Sequence, residues 1–310
     1  MFVKVGVIAL NSYREAVRAR VLHGLFALAL ATAGYSLIVG AFALRASFRV
    51  VSDLGAASIS LYGVVVAVVL GATSLYRELE LKTIFPILAR PLSRSQYLVG
   101  KYLGTGLTLA VFIAADSGAL LLALGIMSGR SPLAVLGVAS GLTLVAGVVA
   151  YKRPASRSMI PIPWAAALLL AGAYFASGVP DDRRVVLGSA LLTLSEVSIV
   201  TAIAMVFSAF SSPFLTAIFT FGVFAVGRSA DTLARLPARV FGEGIAALGR
   251  GVARVVPNLM LYVPARPLLT GEAAAQPLGP YLFMAVLHAL AWSIVLLVLA
   301  STIFRRRDFL

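Results

Sequence analysis

Eight apolar runs, each near the length of a membrane-crossing helix, restrict what this chain can fold into. A transmembrane helix needs about 20 mostly apolar residues. The runs cover roughly residues 21–44, 54–76, 102–129, 131–151, 159–179, 185–209, 210–227 and 281–304. They show no alternation of period two, and a bilayer accepts only helices or closed barrels. We therefore expect an all-α, polytopic membrane helix bundle with about eight transmembrane helices.

The composition excludes an ordinary cytosolic enzyme and a disordered chain. Of the 310 residues, 60% are apolar and 12% are charged, against about 25% charged residues in soluble domains. Cysteine is absent, and the two histidines, His23 and His288, lie in apolar stretches. We therefore expect no disulfide and no metal site. The net charge of +14 would suggest nucleic acid in a soluble protein, but its distribution follows membrane topology, and we expect no nucleic-acid partner.

The basic residues predict the orientation. With the N-terminus in the cytoplasm and eight spans, the cytoplasmic segments are 1–20, 77–101, 152–158 and 305–310, which hold 15 basic and four acidic residues. The short external loops hold only five arginines. This asymmetry favours a multi-pass protein of a bacterial or archaeal cytoplasmic membrane with both termini in the cytoplasm.

Two boundaries allow alternatives. Ser211-Ser212-Pro213 separates two runs, and Pro213 cannot donate a backbone hydrogen bond within a helix. We interpret it as a tight turn between two spans rather than a kink. Ala31-Thr32-Ala33 has the small-x-small pattern of a signal-peptide cleavage site. Because twenty mixed residues precede the first run and the run continues past that site, we expect an uncleaved first span.

Residues 1–20 are apolar enough to bind a bilayer surface but too charged to cross it. Val3, Val7, Leu10 and Val17 cluster on one side of a helical wheel, and polar residues lie a quarter turn away. We expect an interfacial helix on the cytoplasmic leaflet. The alternative is a helical extension of the first span.

Residues 77–100 form the most polar cytoplasmic loop. Glu78 and Lys82, four apart, support a helix, and Phe85 belongs to its apolar face. Ser93 or Ser95 is a candidate cap for the following helix. Such a short helix suits insertion into a groove on a partner. The alternative is a loop whose charges only set topology.

Residues 228–280 are external and too polar to span. Apolar residues recur there at mostly helical spacing, with arginines on another face and several glycines that weaken a single long helix. We expect one or two short amphipathic helices on the outer surface, or dipping into it. They are either a lid or exit gate, or helices that merely pack on the bundle.

Asp116 and Glu196 lie in the middle of the third and sixth runs. An ionised acid at the bilayer centre costs about 2.5–3.5 kcal/mol on insertion scales, so each should face protein or water, or be protonated. Both are candidates for a translocation path. The alternative is a neutral carboxyl group bonded to a neighbour. Neither has a second acid or histidine nearby, so a proton relay is not indicated.

The chain lacks a G-x-x-x-x-G-K-[ST] phosphate loop and any recognisable catalytic motif. We expect no enzymatic activity, no catalytic residue and no cofactor in this chain.

The segment 77–104 reads RELELKTIFPILARPLSRSQYLVGKYLG. It resembles the coupling region of permease subunits of type-2 ABC exporters, approximately R-E-x-x-x-G/K-T-x-x-x-L-L-A-R-P-x-S-R-x-x-x-L-x-G-K-x-L-G. Residues 11–18 resemble the family's elbow helix, residues 207–213 its turn between the fourth and fifth spans, and residues 306–309 its C-terminus. The resemblance covers most of the chain and is greatest to permeases of the nitrous-oxide-reductase maturation (copper-processing) kind.

This resemblance implies an export subunit without ATPase activity. It implies a dimer, with a second copy or a related permease, and two copies of a separate ABC ATPase subunit that binds ATP and Mg. The coupling residues would be Arg77, Glu78, Glu80, Lys82, Phe85, Arg90 and Arg94.

The chain departs from the family at two points. Lys82 stands where many members have glycine. The family has six spans, so the excess pair at 131–179 is interpreted as an inserted transmembrane hairpin. Three other hypotheses remain open: an ATP-independent secondary transporter or channel, a membrane enzyme, and a structural anchor.

Overall fold

The computed structural model describes residues 2–80, 93–272 and 277–306, and every regular element in these ranges is helical. The first half of the described chain forms helices α1 to α6. They are α1 Phe2–Arg18, α2 Arg20–Phe42, α3 Ser47–Glu80, α4 Arg94–Met127, α5 Pro132–Lys152 and α6 Pro161–Phe175. The second half forms helices α7 to α13. They are α7 Pro180–Ser208, α8 Pro213–Arg228, α9 Ala230–Ala234, α10 Ala238–Phe241, α11 Glu243–Val255, α12 Arg266–Thr270 and α13 Leu278–Arg306.

Seven helices of the described chain are long and apolar enough to cross a membrane. They are α2 to α5, α6 together with the turn Ala176–Gly178 that continues it, α7 and α13. The protein is therefore an all-α, multi-pass membrane protein, as the apolar runs predicted. The run at 210–227, the shortest of the eight, forms helix α8, which is not among these seven. Helix α8 has 16 residues, about 24 Å at 1.5 Å per residue, and a full span needs about 30 Å.

The turn predicted at 211–213 is confirmed. Helix α7 ends at Ser208, and Ser212 caps α8 by accepting a hydrogen bond from the backbone of Leu215 over 3.5 Å. The ring centres of Phe207 and Phe219 lie 5.4 Å apart, so α8 folds back along α7. Helix α8 therefore runs antiparallel to α7, as a full span would, but it ends before it has crossed the full thickness of the membrane.

Helix α7 lies at the centre of the bundle and packs against α3, α4, α8 and α13. Small residues allow close approach there, as they do in other membrane bundles. A Cβ atom added to Gly71 of α3 would lie 2.5 Å from Cβ of Ala204. On α4, a Cβ added to Gly118 would lie 2.8 Å from the backbone of Leu168 in α6. The core therefore consists of α3, α4 and α7, with α6 closely applied to it.

The two helices of the predicted insertion, 131–179, differ in their packing. Helix α6 contacts α4 along its length, whereas α5 contacts mainly α6 and the short turn Pro154–Met159. Most of α5 is exposed. Helix α5 therefore lies at the periphery of the bundle, where Val135 near its start packs in one apolar cluster with Leu122 of α4 and Leu168 of α6.

Helix α1 is separate from α2, because the backbone at Ala19 is extended. It is therefore not a continuous extension of the first span. Helix α1 packs on α4, where Gly100 leaves room for Ile8 and Gly104 leaves room for Ser12. Lys101 of α4, almost fully buried, forms an ion pair with Glu15 over 3.5 Å.

Candidate functional site

Glu196 and Arg228 form a two-pronged ion pair inside the bundle. Arg228 Nε lies 2.6 Å from Glu196 Oε1, and Arg228 Nη2 lies 2.8 Å from Oε2. The Glu196 side chain is fully buried, whereas 25% of the Arg228 side chain is exposed. Parallel N–H···O bonds between a guanidinium and a carboxylate are among the strongest side-chain contacts. The pair therefore compensates the charge that the sequence places in the middle of a span.

Two further side chains, those of Ser60 and Phe224, contact this buried ion pair. Ser60 of α3 donates a hydrogen bond to Glu196 Oε2 over 3.4 Å and accepts one from Arg228 Nη2 over 3.1 Å. The guanidinium carbon of Arg228 lies 5.3 Å from the ring centre of Phe224, within cation–π range. The group joins α3, α7 and α8 at one point.

Glu196 lies where the sequence predicts an intramembrane acid, but its partner Arg228 belongs to the segment that the sequence predicts to be external, 228–280. The available signal was the length of the seventh run, which is the shortest and has Arg228 directly at its end. A helix of that length ends before the far membrane surface. Because α8 is short, its last residue, Arg228, lies within the membrane and next to Glu196.

Asp116 lies on the face of α4 that meets α3, but it has no comparable partner. Ile113 and Leu120, on the same face, lie next to Gly63 and Gly55 of α3. Asp116 is fully buried, and neither of its carboxyl oxygens has a hydrogen-bond partner among the residues that the structure describes. The two intramembrane acids, predicted together as one candidate path, therefore occupy different chemical environments.

A second polar group, the outer polar cluster of Ser52, Asp53, Asp182 and Arg266, was not predicted. Arg266 Nη2 lies 2.5 Å from Asp182 Oδ1, and Nη1 donates to Ser52 over 3.0 Å. Arg266 also pairs with Asp53, and Ser52 donates to Asp182 over 2.7 Å. The cluster fastens α12 to the beginnings of α3 and α7.

The cluster also stabilises the protonated form of Arg266. Burial by itself lowers the pKa of Arg266, but the hydrogen bond to Asp182 and the charges of Asp53 and Asp182 outweigh that effect. The pKa therefore lies above its ordinary value, and the guanidinium stays protonated. Arg266 is a permanent cation between two carboxylates.

The chain between α11 and α12 returns into the bundle beside the end of α8. Leu259 and Tyr262 are buried, and a Cβ added to Gly227 would lie 2.9 Å from the carbonyl oxygen of Pro257. The Tyr262 hydroxyl lies 2.8 Å from His288 Nδ1. The 228–280 segment therefore lies partly within the bundle, through the chain around Leu259 and Tyr262.

Helix α11 within that segment is amphipathic, as expected, and turns its small residues inward. Ala246 and Gly249 are buried, and a Cβ added to Gly249 would lie 2.8 Å from the carbonyl oxygen of Leu233. Ile245 and Leu248 are exposed. Helix α11 therefore presents its large apolar residues outward, an arrangement typical of a helix in a membrane interface.

The predicted coupling residues are only partly described. Arg77, Glu78 and Glu80 lie in the last turns of α3. Lys82, Phe85 and Arg90 lie outside the described residues. Arg94 opens α4 and donates to the carbonyl oxygens of Phe304 and Arg305, both over 3.0 Å.

The cap predicted for the helix after this loop is confirmed. Ser93 accepts a hydrogen bond from the backbone of Gln96 over 3.3 Å, and the Gln96 side chain accepts one from the Ser93 backbone over 3.2 Å. This reciprocal capping box fixes the start of α4. The described part of the loop region is thus held at the end of α13 by Arg94 and is ordered by a local cap.

Comparison with known proteins adds no family to this description, since no protein-family model matches the chain and no curated protein matches it. Within the described ranges, no three or more His, Cys, Asp or Glu residues form a group suited to a metal ion.

Proposed function

We propose that this chain is the membrane-spanning permease subunit of an ATP-driven ABC export complex. In this proposal a separate ATPase subunit, present in two copies, binds ATP and Mg and drives alternating access in a dimer of permease chains. The complex lies in a bacterial or archaeal cytoplasmic membrane, with both termini of this chain in the cytoplasm.

The dense sequence pattern at 77–104, and the helices that carry its two ends, support this proposal. Helices α3 and α4 each have 34 residues, about 51 Å at 1.5 Å per residue, whereas the hydrocarbon core is about 30 Å thick. Each helix therefore extends beyond a bilayer that it crosses. The pattern begins at the end of α3 and ends in α4, where a cytoplasmic partner would reach it. This is the observation on which the proposal rests.

At the end of the bundle that would bind the ATPase, side-chain contacts connect α4 to both α13 and α1. Arg94 links the start of α4 to the end of α13, and the Lys101–Glu15 ion pair links α4 to α1. A force applied to the 77–94 region would therefore act on α4, α13 and α1 together. Such a rigid connection is what transmission from an ATPase to a helix bundle requires.

Within this proposal, the buried ion pair is the contact that changes when the bundle switches access. It joins α3, α7 and α8 through charge-assisted hydrogen bonds, which have short range and defined geometry. Asp116 lies on the neighbouring α3–α4 contact and gives the path a second polar group. The outer polar cluster would hold the 257–270 region closed over the external end.

Purification of the tagged chain from its host tests this proposal. We expect an ATPase subunit carrying a G-x-x-x-x-G-K-[ST] loop to copurify, and the complex to hydrolyse ATP. Recovery without such a subunit, together with transport in ATP-free proteoliposomes, would contradict the proposal and favour a secondary transporter.

Charge reversal provides the sharper test. Glu78→Arg with Glu80→Arg should reduce recovery of the ATPase at least tenfold, while the chain still inserts into the membrane. The matched control is Glu243→Arg, an acid on α11 whose side chain is 84% exposed and which the proposal places on the other side of the membrane. Unchanged recovery in the double variant, or equal loss in the control, would contradict the coupling role.

A further inference from the structure

A cavity of about 850 Å³ separates peripheral helix α5 from the core. Its wall is made by the end of α1, the beginning of α2, the middle of α4, the second half of α5, the turn Pro154–Met159 and the beginning of α6. Ligand pockets in proteins commonly measure about 300–1,000 Å³ and are mostly apolar with a few polar groups. The space is therefore large enough for part of a lipid-sized molecule.

The cavity has an apolar interior. Phe26 and Phe112 lie edge to face with ring centres 5.7 Å apart, and Trp164 packs on Phe26 at 6.3 Å. Gly147 of α5 lines the cavity opposite them, and a Cβ added there would meet no atom within 4 Å. An apolar wall of this kind is poorly wetted by water, so in a bilayer the occupant that fits it is a hydrocarbon chain.

The same cavity has a basic rim. Arg18 and Arg157 line it, both exposed, at the points where α1 ends and where α5 turns into α6. Arg20, Lys152 and Arg153 lie beside these positions in the chain and are also exposed. None of the described residues that line the cavity is acidic. The charge is therefore positive at the ends of the helices, and the interior toward the middle of α4 is apolar.

We infer that this cavity is a binding site for a phospholipid with a negatively charged headgroup. Its phosphate would contact Arg18 and Arg157, and one acyl chain would occupy the space between α5 and α4. Basic pockets between transmembrane helices recognise acidic lipid headgroups by this combination of charge and apolar wall. The site does not depend on an ATPase partner. It also explains how α5 is held beside a core that it hardly contacts: the lipid fills the gap between them.

The two tryptophans of the chain provide the test. Trp164 lies in the cavity wall, and Trp292 lies on α13. The Trp292→Phe variant, with Trp164 as the single fluorophore, is reconstituted in phosphatidylcholine vesicles containing a minor fraction of brominated lipid. Bromine atoms quench a tryptophan that they contact. We expect brominated phosphatidylglycerol to quench Trp164 several times more strongly than brominated phosphatidylcholine at the same fraction.

Variants identify the groups responsible. Arg157→Gln and Arg18→Gln should each reduce the preference for phosphatidylglycerol about fivefold, the effect expected for one basic residue near a membrane surface. Gly147→Leu should fill the cavity and reduce quenching by the acidic lipid. Gly137→Leu is the matched control, because Gly137 lies on the same helix, also has no atom within 4 Å of an added Cβ, and does not line the cavity.

Two results would overturn the inference. One is equal quenching of Trp164 by the acidic and neutral lipids in the Trp292→Phe protein. The other is a preference that survives in Gly147→Leu when that variant elutes as the same species as Gly137→Leu. Trp292, measured alone in Trp164→Phe, gives the background for lipid around the bundle and should show little preference.

Discussion

Glu196 and Asp116 are both fully buried carboxyl groups near the middle of long apolar helices, yet their surroundings differ. Glu196 receives two hydrogen bonds from Arg228 and one from Ser60. Asp116 receives none within the described chain. Both acids lie beside α3, on the helices that flank it. The difference arises from a third helix, because α8 ends with an arginine at the depth of Glu196, and none of the described helices brings an arginine to Asp116.

An intramembrane acid can either be paired with a cation or lie buried without a hydrogen-bond donor. A paired carboxylate is part of a three-helix junction, and its removal leaves a charge behind. An unpaired one has no fixed geometry to lose, and it is compatible with a neutral carboxyl group because ionisation without a donor is costly in a dry interior. We therefore expect removal of one charge of the Glu196–Arg228 pair to destabilise the protein, and removal of the Asp116 carboxyl group to leave its stability unchanged or to raise it.

The largest effect is expected from Arg228→Ala. This variant leaves Glu196 buried without its cation, and breaking one side of a buried pair commonly costs about 3–5 kcal/mol. Unfolding in mixed detergent and dodecyl sulfate micelles, followed by far-UV circular dichroism, measures the loss. Arg228 is 25% exposed, so we expect the lower half of this range.

A double variant distinguishes charge from packing at the same site. Glu196→Met combined with Arg228→Met removes both charges and keeps most of the volume, and replacing a buried pair by apolar groups is often close to neutral. We expect the double variant to recover most of the stability lost in Arg228→Ala. If it is as unstable as the single variant, the junction is held by shape and not by the ion pair.

A smaller effect is expected in the outer polar cluster. Arg266→Gln leaves Asp182, whose side chain is 13% exposed, without its cation, and hydrogen bonds to charged groups contribute about 1.5–3 kcal/mol. We expect a loss of about 2 kcal/mol in the same unfolding assay. If the cluster also closes the external end, protease cleavage in the 257–270 region should increase.

Arg49→Gln is the control for that cluster. Arg49 pairs with the same Asp53 over 3.6 Å, but its side chain is 67% exposed. Exposed ion pairs contribute little because water screens them and both side chains lose freedom. The control should unfold within about 0.5 kcal/mol of the unchanged protein. Equal losses in the two variants would mean that burial does not distinguish the contacts of Asp53.

The sequence predicts the helices well and their partners poorly. Run lengths locate the start and end of α2, α5 and α13 to within a few residues, because a membrane demands continuous apolar helices. The cap at Ser93 is local and was also predicted. The Glu196–Arg228 pair joins residues 32 positions apart, and the Ser52–Arg266 contact joins residues 214 positions apart. Such pairings depend on helix depth and rotation, which apolar periodicity does not encode.

The smallest effect, and the one that completes the comparison, is expected at Asp116. Asp116→Asn keeps the volume and the polarity of a neutral carboxyl group, so stability should change by no more than about 0.5 kcal/mol. Asp116→Leu removes a buried polar group that has no partner, and we expect a gain of about 1 kcal/mol. The same unfolding assay measures both. Destabilisation in both variants would show that Asp116 is ionised against a group supplied from outside the described chain, such as a second permease copy or a transported cation, and Asp116 would then resemble Glu196.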